Sequence, residues 1–139
     1  MKKKILVMGL PGSGKTTLSK KLVKLIDAVW LNADEVRKEV NDWDFSLEGR
    51  LRQSKRMKDM SEKYIKENRH VIADFICPTE KTRNDYNPDF LIFMDTIREG
   101  RFDDTNKMFV RPIKYDYRVT QKNAEIEAVK IFNKLKDII

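Results

Sequence analysis

Short strand-like runs alternate with helical periodicities along this chain. Ile5-Leu6-Val7-Met8 is continuously apolar and stops at Gly9, the pattern of a strand covered on both faces of a parallel sheet. Lys15–Ile26 follows with apolar residues at Leu18, Leu22 and Leu25–Ile26, a helical spacing. Ala28–Leu31 reads as the second strand. Asn32, with Glu35 three positions on, reads as a capping box that opens a short helix. Leu47–Asn68 predicts a long, highly charged helix with Leu47, Leu51, Met57, Met60 and Tyr64 on its apolar side. His70–Phe75, Phe90–Met94 and Tyr117–Val119 supply three more strands. Ala124–Ile139 closes the chain as an amphipathic helix with Ala128, Phe132, Leu135 and Ile139 turned inward.

This alternation predicts an α/β fold, a mostly or wholly parallel sheet of about five strands between layers of helices. With no repeat, low-complexity tract or Ser/Gly linker, residues 1–139 read as one domain. In such folds, ligands bind beyond the carboxyl ends of the strands. Those ends are Gly9, Asn32, Asp74 and Asp95, the polar and special residues of the pattern.

Charged residues make up 37% of the chain and hydrophobic ones 40%, which fits a globular protein rather than a disordered or membrane-embedded one. The longest apolar runs, Ile5–Met8 and Phe90–Met94, fall far short of the roughly 20 residues that span a bilayer. Lysines 2–4 lead straight into a strand, without an apolar stretch of signal-peptide length. A single cysteine, Cys77, excludes an internal disulfide framework and fits a reducing compartment, so the expected location is the cytoplasm. Lys and Arg number 29 against 22 Asp and Glu, net +7. That balance favours anionic partners in general and does not choose among nucleotides, nucleic acid and acidic membranes.

Gly9-Leu10-Pro11-Gly12-Ser13-Gly14-Lys15-Thr16 fits G-x-x-x-x-G-K-[ST], and it lies between a strand and a helix as that motif requires. Glycines let backbone N–H groups converge on phosphate oxygens, and the helix start adds unpaired N–H groups and partial positive charge. The expected fold is therefore the three-layer α/β/α sandwich of the P-loop NTPases, and the expected ligands are ATP and Mg²⁺. Gly9, Pro11, Gly12, Ser13, Gly14, Lys15, Thr16 and Thr17 form the nucleotide site; Lys15 bridges the β- and γ-phosphates, and the Thr16 hydroxyl ligates the metal. Asp34, at the next strand–helix turn, can orient and deprotonate an acceptor hydroxyl, and Arg37 one turn on can pair with acceptor charge. The alternative is that Asp34 only caps its helix and Arg37 faces solvent.

Beyond the P-loop come Leu31–Arg37, then Phe45-Ser46-Leu47-Glu48-Gly49-Arg50, then Phe75-Ile76-Cys77-Pro78 with Arg83. In order and spacing these segments resemble adenylylsulfate kinase, which phosphorylates the 3′-hydroxyl of adenosine 5′-phosphosulfate. That family shows G-x-x-G-x-G-K-T-T, L-D-G-D-x-x-R, F-S-x-x-x-R, and F-I-S-P with an arginine five residues past the proline. The resemblance covers about residues 3–83, is one residue short between Asn41 and Phe45, and returns weakly at Phe109 and Tyr115. It implies an ATP-dependent kinase of sulfate assimilation, in a family whose members are often dimers. Asp34 would be the base, and Arg37 and Arg50 would hold the phosphosulfate beside Phe75 and the Ile76 backbone. Phe45 and Phe109 would stack on the acceptor's adenine. From the residues alone, Phe45 and Phe109 also suit core packing, and Arg50 a solvated helix face.

Three departures qualify the resemblance. Asn32 replaces the family's first Asp, and Asp74 stands where the family has a small residue, a pair similar to the polynucleotide kinase pattern. Asp74 could then hold metal-bound water beside Thr16. The family's long lid is absent, and Asp95–Phe109 spans that region in about half the length. Within it, Arg98 and Arg101 are candidates to clamp the transferring phosphoryl group, or are plain surface charges. His70 is expected half-exposed, and Cys77 packed and inert. The expected partner is a small anionic nucleotide-like substrate, with nucleic acid the second choice and no membrane; a 5′-hydroxyl polynucleotide or other small-metabolite kinase is the second reading, and a non-catalytic nucleotide switch the third.

Overall fold

The computed structural model describes residues 2–139. Strands β1 (Lys4–Met8), β2 (Ala28–Asn32), β3 (His70–Asp74), β4 (Phe90–Met94) and β5 (Tyr117–Val119) form one sheet in the order β2-β3-β1-β4-β5, with every pair parallel. The helices are α1 (Lys15–Ile26), α2 (Ala33–Val40), α3 (Leu47–Lys66), α4 (Glu80–Tyr86), α5 (Asp103–Met108) and α6 (Ala124–Leu135). The three-layer α/β/α architecture expected from the sequence is the one observed.

The continuous apolar run of β1 is explained by its central place, since successive side chains point to opposite faces and both faces are covered. Ile5 and Val7 join Leu18 and Leu22 of α1 and Ile131 and Leu135 of α6 in one core. Leu6 and Met8 join Met57 of α3 and Tyr86 of α4 in the other. Because β1 lies between β3 and β4, the chain turns to one side of it and later to the other. That reversal opens a crevice at the carboxyl ends, next to the loop leaving β1.

Several expectations need correction. On α3, Leu47 is exposed and Leu51 only half-buried; the inward face is Arg50, Gln53, Ser54, Met57 and Ser61. The face turns polar in its first half because there it walls a cavity rather than the core. On α6, the buried positions are Ala128, Ile131 and Leu135; Phe132 is half-buried, and the helix ends before Ile139, which is exposed. Helices α4 and α5 were not expected. His70 is buried rather than half-exposed, and its Nδ1 accepts the Lys3 amide at 3.0 Å. Burial, reinforced by Lys2 and Lys3, lowers its pKa. Cys77 is buried, as expected, and burial pushes its thiol up to about 12, so it is inert as a nucleophile. No helix among the described residues is long and apolar enough to cross a membrane.

Ile131, 0% exposed, and Ile139, 39% exposed, separate the observed inward face of α6 from the expected one. Ile131→Ala is expected to cost about 2–4 kcal/mol in a urea titration, and Ile139→Ala less than about 1 kcal/mol. Equal losses would show that the C-terminal residues pack as the sequence pattern suggested.

Candidate active site

The loop after β1 is shaped by close approach. A Cβ on Gly9 would lie 2.8 Å from the Met94 carbonyl oxygen, so only glycine lets β1 leave the sheet this close to β4. Gly14, left-handed at φ 99°, opens α1 without any side-chain cap, which leaves the first amides of that helix to an outside acceptor. The Ser13 carbonyl accepts the Thr96 hydroxyl at 2.7 Å, tying the loop to the exit of β4. The Ser13 hydroxyl is buried without a partner, and the Ser13 amide donates to Leu10 O at 3.2 Å. Gly9, Gly14 and Ser13 thus shape the loop from below, while Pro11, Gly12, Lys15 and Thr16 face a cavity of about 530 Å³. Thr17 is exposed on α1, outside that wall.

Register places Asn32 beside Asp74 at the ends of β2 and β3, with side chains on one face. Asn32 Nδ2 donates to Asp74 Oδ2 at 3.0 Å and to the Thr16 hydroxyl at 3.3 Å, and Trp30 Nε1 reaches the same Asp74 oxygen at 3.3 Å. Asp74 is almost fully buried; burial raises its pKa, against Lys15 and these hydrogen bonds. The Lys15 ammonium donates to Leu10 O at 2.9 Å. Burial pushes its pKa down to about 8, against the charges of Asp74 and Asp34.

Asp34 is exposed into the same cavity, in reach of Lys15 by charge. It does not cap α2. Asn32 does, accepting the Glu35 amide at 3.1 Å, so half of the expected capping box is present and the Asp34 carboxylate is left free for chemistry.

The two arginines carried over to the acceptor both line the cavity, and neither is solvated. Arg37 Nη1 donates to the carbonyls of Asp42 and Asp44 at 2.8 and 3.2 Å, and its guanidinium lies 4.4 Å from the Phe45 ring centroid. Arg50 Nε donates to Phe45 O at 2.9 Å, and its Nη2 to the Thr105 hydroxyl at 2.7 Å. Each therefore braces the loop that carries Phe45 while keeping another guanidinium nitrogen for a ligand. Phe75 and Ile76 are in the wall, with Phe75 edge-on to Tyr86 at 5.6 Å.

In place of a long lid, residues 96–110 form a beam fixed at several points. A Cβ on Gly100 would lie 3.2 Å from Pro11 O, so the beam rests on the P-loop. The Asn106 amide closes on both backbone groups of Gly100, at 2.8 and 3.1 Å. Thr105 meets Arg50 of α3, Val110 N donates to Pro78 O at 2.7 Å, and Arg83 donates to Val110 O. Arg101 faces the cavity. Arg98 is exposed and outside the wall, so only one of the two lid candidates stands at the site. Phe109 is also outside it: the ring stacks on Phe93 at 6.3 Å beneath Arg83, because β4 offers it a core surface.

The sequence reading missed Gln53, Ser54, Phe102 and Thr105 in the wall. Gln53 donates to Ala33 O at 3.0 Å, and the Ser54 hydroxyl is buried without a partner. Arg50, Gln53, Ser54 and Met57 share helical spacing, so that signal was present. Phe102 and Thr105 carry no local signal; only the docking of α5 puts them there.

A glycine-cradled loop before α1, at the switch point of a parallel 2-3-1-4-5 sheet, defines a P-loop kinase fold. Residues 5–87, more than half of the chain, match the AAA_33 (AAA domain) family, and the chain belongs to that family. No curated protein sequence matches it. Among solved structures it is similar to APE1195, at 20% identity over 99% of this chain and 96% of that one, TM-score 0.87. The APS kinase of Mycobacterium tuberculosis, in complex with AMPPNP and APS, is 21% identical over 97% and 98% of the two chains, TM-score 0.77. The shikimate kinase of Acinetobacter baumannii, in complex with shikimate, is 18% identical over 99% and 94%, TM-score 0.66. At these identities the likeness is one of fold.

Gly9→Ala is expected to lower stability by about 1–3 kcal/mol in a denaturant titration, because the new methyl meets backbone rather than a movable side chain. An unchanged midpoint would show that β1 and β4 are not held this close.

Proposed function

We propose that this chain is an ATP-dependent kinase that phosphorylates a hydroxyl of a small anionic acceptor, with adenosine 5′-phosphosulfate the acceptor its motifs imply. One observation carries the reading: an uncapped, solvent-facing carboxylate, Asp34, shares a cavity with the P-loop lysine and acts on it by charge. In the transfer step, Asp34 takes the proton of the acceptor hydroxyl as its oxygen attacks the γ-phosphorus. The bond from that phosphorus to the β–γ bridging oxygen breaks, and ADP leaves. Lys15 offsets charge on the β- and γ-phosphates, and Arg101 is placed to stabilise the transferring group.

Mg²⁺, when bound, supplies charge neutralisation along the phosphates. The residues fit it: Thr16 and Asp74 are oxygen donors joined through Asn32, a sparse set of the kind this ion takes alongside phosphate and water. No fuller cage of His, Cys, Asp or Glu exists among the described residues.

The beam over residues 96–110 supports a small acceptor over a polymer, since it ties the P-loop to α3 across the cavity. The Asn32–Asp74 hydrogen bond favours a second reading, a 5′-hydroxyl polynucleotide kinase. Incubation with ATP and either adenosine 5′-phosphosulfate or a 5′-hydroxyl oligonucleotide, followed by product chromatography, separates the two.

Asp34→Asn is expected to leave AMPPNP binding within about twofold and to lower transfer at least about 100-fold, the range for loss of a general base. Transfer at the unaltered rate would remove Asp34 from the mechanism. Lys15 gives an independent test. Burial holds its pKa near 8, below the ordinary lysine range, and phosphate charge raises it again. Nucleotide binding is then flat below pH 8 and linked to proton uptake above it. Affinity by calorimetry should be about tenfold weaker at pH 9 than at pH 7. A level profile would contradict the buried-amine account.

A further inference from the structure

Trp30 stands one step outside the cavity. It is half-buried on β2 and takes no part in the wall, yet its Nε1 donates to Asp74 Oδ2 at 3.3 Å. Residues two apart on a strand share a face, and the register sets Trp30 beside Ile72 and Asn32 beside Asp74. The Asn32 amide therefore meets Asp74 directly across, while the longer indole reaches the same oxygen from the position below. Asn32 has no donor left over. Its two Nδ2 hydrogens go to Asp74 Oδ2 at 3.0 Å and to the Thr16 hydroxyl at 3.3 Å, and its Oδ1 accepts the Glu35 amide at 3.1 Å. Asn32 is thus shared among β3, α1 and α2. The indole has a single N–H, and Trp30 gives it to Asp74 alone.

Both donors use Oδ2. A carboxylate can turn about its last bond and offer either oxygen, and two N–H groups on one oxygen oppose that turn. Oδ1 takes neither bond and is the oxygen left for a ligand in the cavity that Asp74 lines. Both donors are also uncharged. They steady the anion without cancelling its charge, as a lysine or arginine in their place would.

We propose that Trp30 is a positioning residue for a divalent cation, acting through Asp74: its N–H holds the carboxylate so that the free oxygen serves the metal that accompanies the nucleotide. This rests on the kinase reading of the same cavity and adds to it a residue outside the wall. Outer partners of this kind orient a metal-ligating group, and their loss typically costs about 10–100-fold in metal affinity. A tryptophan that only packed on the edge strand would need its ring and not its N–H.

The test needs no acceptor. AMPPNP binding to the full chain is measured by calorimetry at pH 8, in excess EDTA and then in excess Mg²⁺, and the ratio of the two affinities is the metal gain. The unaltered chain should show a gain of at least about tenfold. Trp30→Phe keeps a large ring and loses the donor; it should remove most of the gain and leave the EDTA affinity within about twofold. Trp30→His gives up bulk, but its imidazole can carry an N–H at the ring position of the indole Nε1, so it should keep more of the gain than Trp30→Phe. With Asp74→Asn already in place, Trp30→Phe should change the gain no further. One measurement needs no substitution at position 30. The indole N–H signal of Trp30, told from that of Trp43 by Trp43→Phe, should shift in the NMR spectrum when Mg²⁺ joins the AMPPNP complex. An unmoved signal, or a gain undiminished in Trp30→Phe, overturns the role of Trp30 and leaves the metal reading of Asp74 standing. Equal losses with and without metal, or a smaller gain in Trp30→His than in Trp30→Phe, reduce Trp30 to packing and overturn it too. No gain in the unaltered chain overturns the metal role of Asp74 together with that of Trp30, and no AMPPNP binding in either condition overturns the kinase reading itself.

Discussion

A carboxylate sealed at the end of β3 sets the terms for everything around it. Asp74 is 2% exposed, and a buried charge of this kind is tolerated only when partners offset its lost hydration. Trp30 and Asn32 supply hydrogen bonds from β2, and Lys15 supplies charge from the P-loop. One side chain therefore fixes the end of β2, the start of α2 and the lysine of the phosphate loop relative to one another. The same burial that strains Asp74 towards its neutral form strains Lys15 towards its own, and each draws the other back. A site in this condition favours an incoming group that brings negative phosphate and a divalent cation together, because each relieves one member of the pair.

The opposite wall of the cavity has a similar construction in arginine. Helix α3 gives the first half of its inward face to Arg50, Gln53 and Ser54, where an ordinary core helix would place leucine. Such a face forgoes apolar burial and needs every polar group provided for. Arg37 and Arg50 meet part of that need with backbone carbonyls of the loop that carries Phe45. Asp42 is held well below the usual carboxylate range by Arg52 and Arg56, which pins the loop from outside as well. These arginines act as braces first, and their remaining nitrogens are available to an anion only because the brace fixes where they point.

What the sequence disclosed follows from how local each feature is. The run Ile5–Met8, the glycines and Lys15–Ile26 are one contiguous segment whose hydrophobic period and chemistry agree, so β1, the loop and α1 were all readable. Asp34 was readable as a candidate, but only the structure shows that Asn32 takes the capping role and frees it. Helix α4 depends on the Thr79–Thr82 capping pair, which spans four residues and leaves little periodicity to detect. Phe109 and Phe102 show the limit most clearly. Both are aromatic residues in the same short stretch, and which one meets the core and which the cavity is decided by Phe93 on β4 and by Arg50 on α3, far away in the chain. His70 failed for the same reason, since its partner is the backbone of Lys3 across the sheet.

The fixed beam changes what the shortened segment after β4 implies. A closing lid excludes water by moving, and its motion often limits turnover. Here Gly100 rests on Pro11 and Thr105 meets Arg50, so the segment is tied at once to the P-loop and to α3. The consequence falls on access. Under the kinase reading proposed above, a roof tied at both ends favours a compact acceptor over a long chain threading the site. Shortness in this segment therefore argues for selectivity built by rigid placement, with α5 held against α3 doing the work that length and movement do in a long lid.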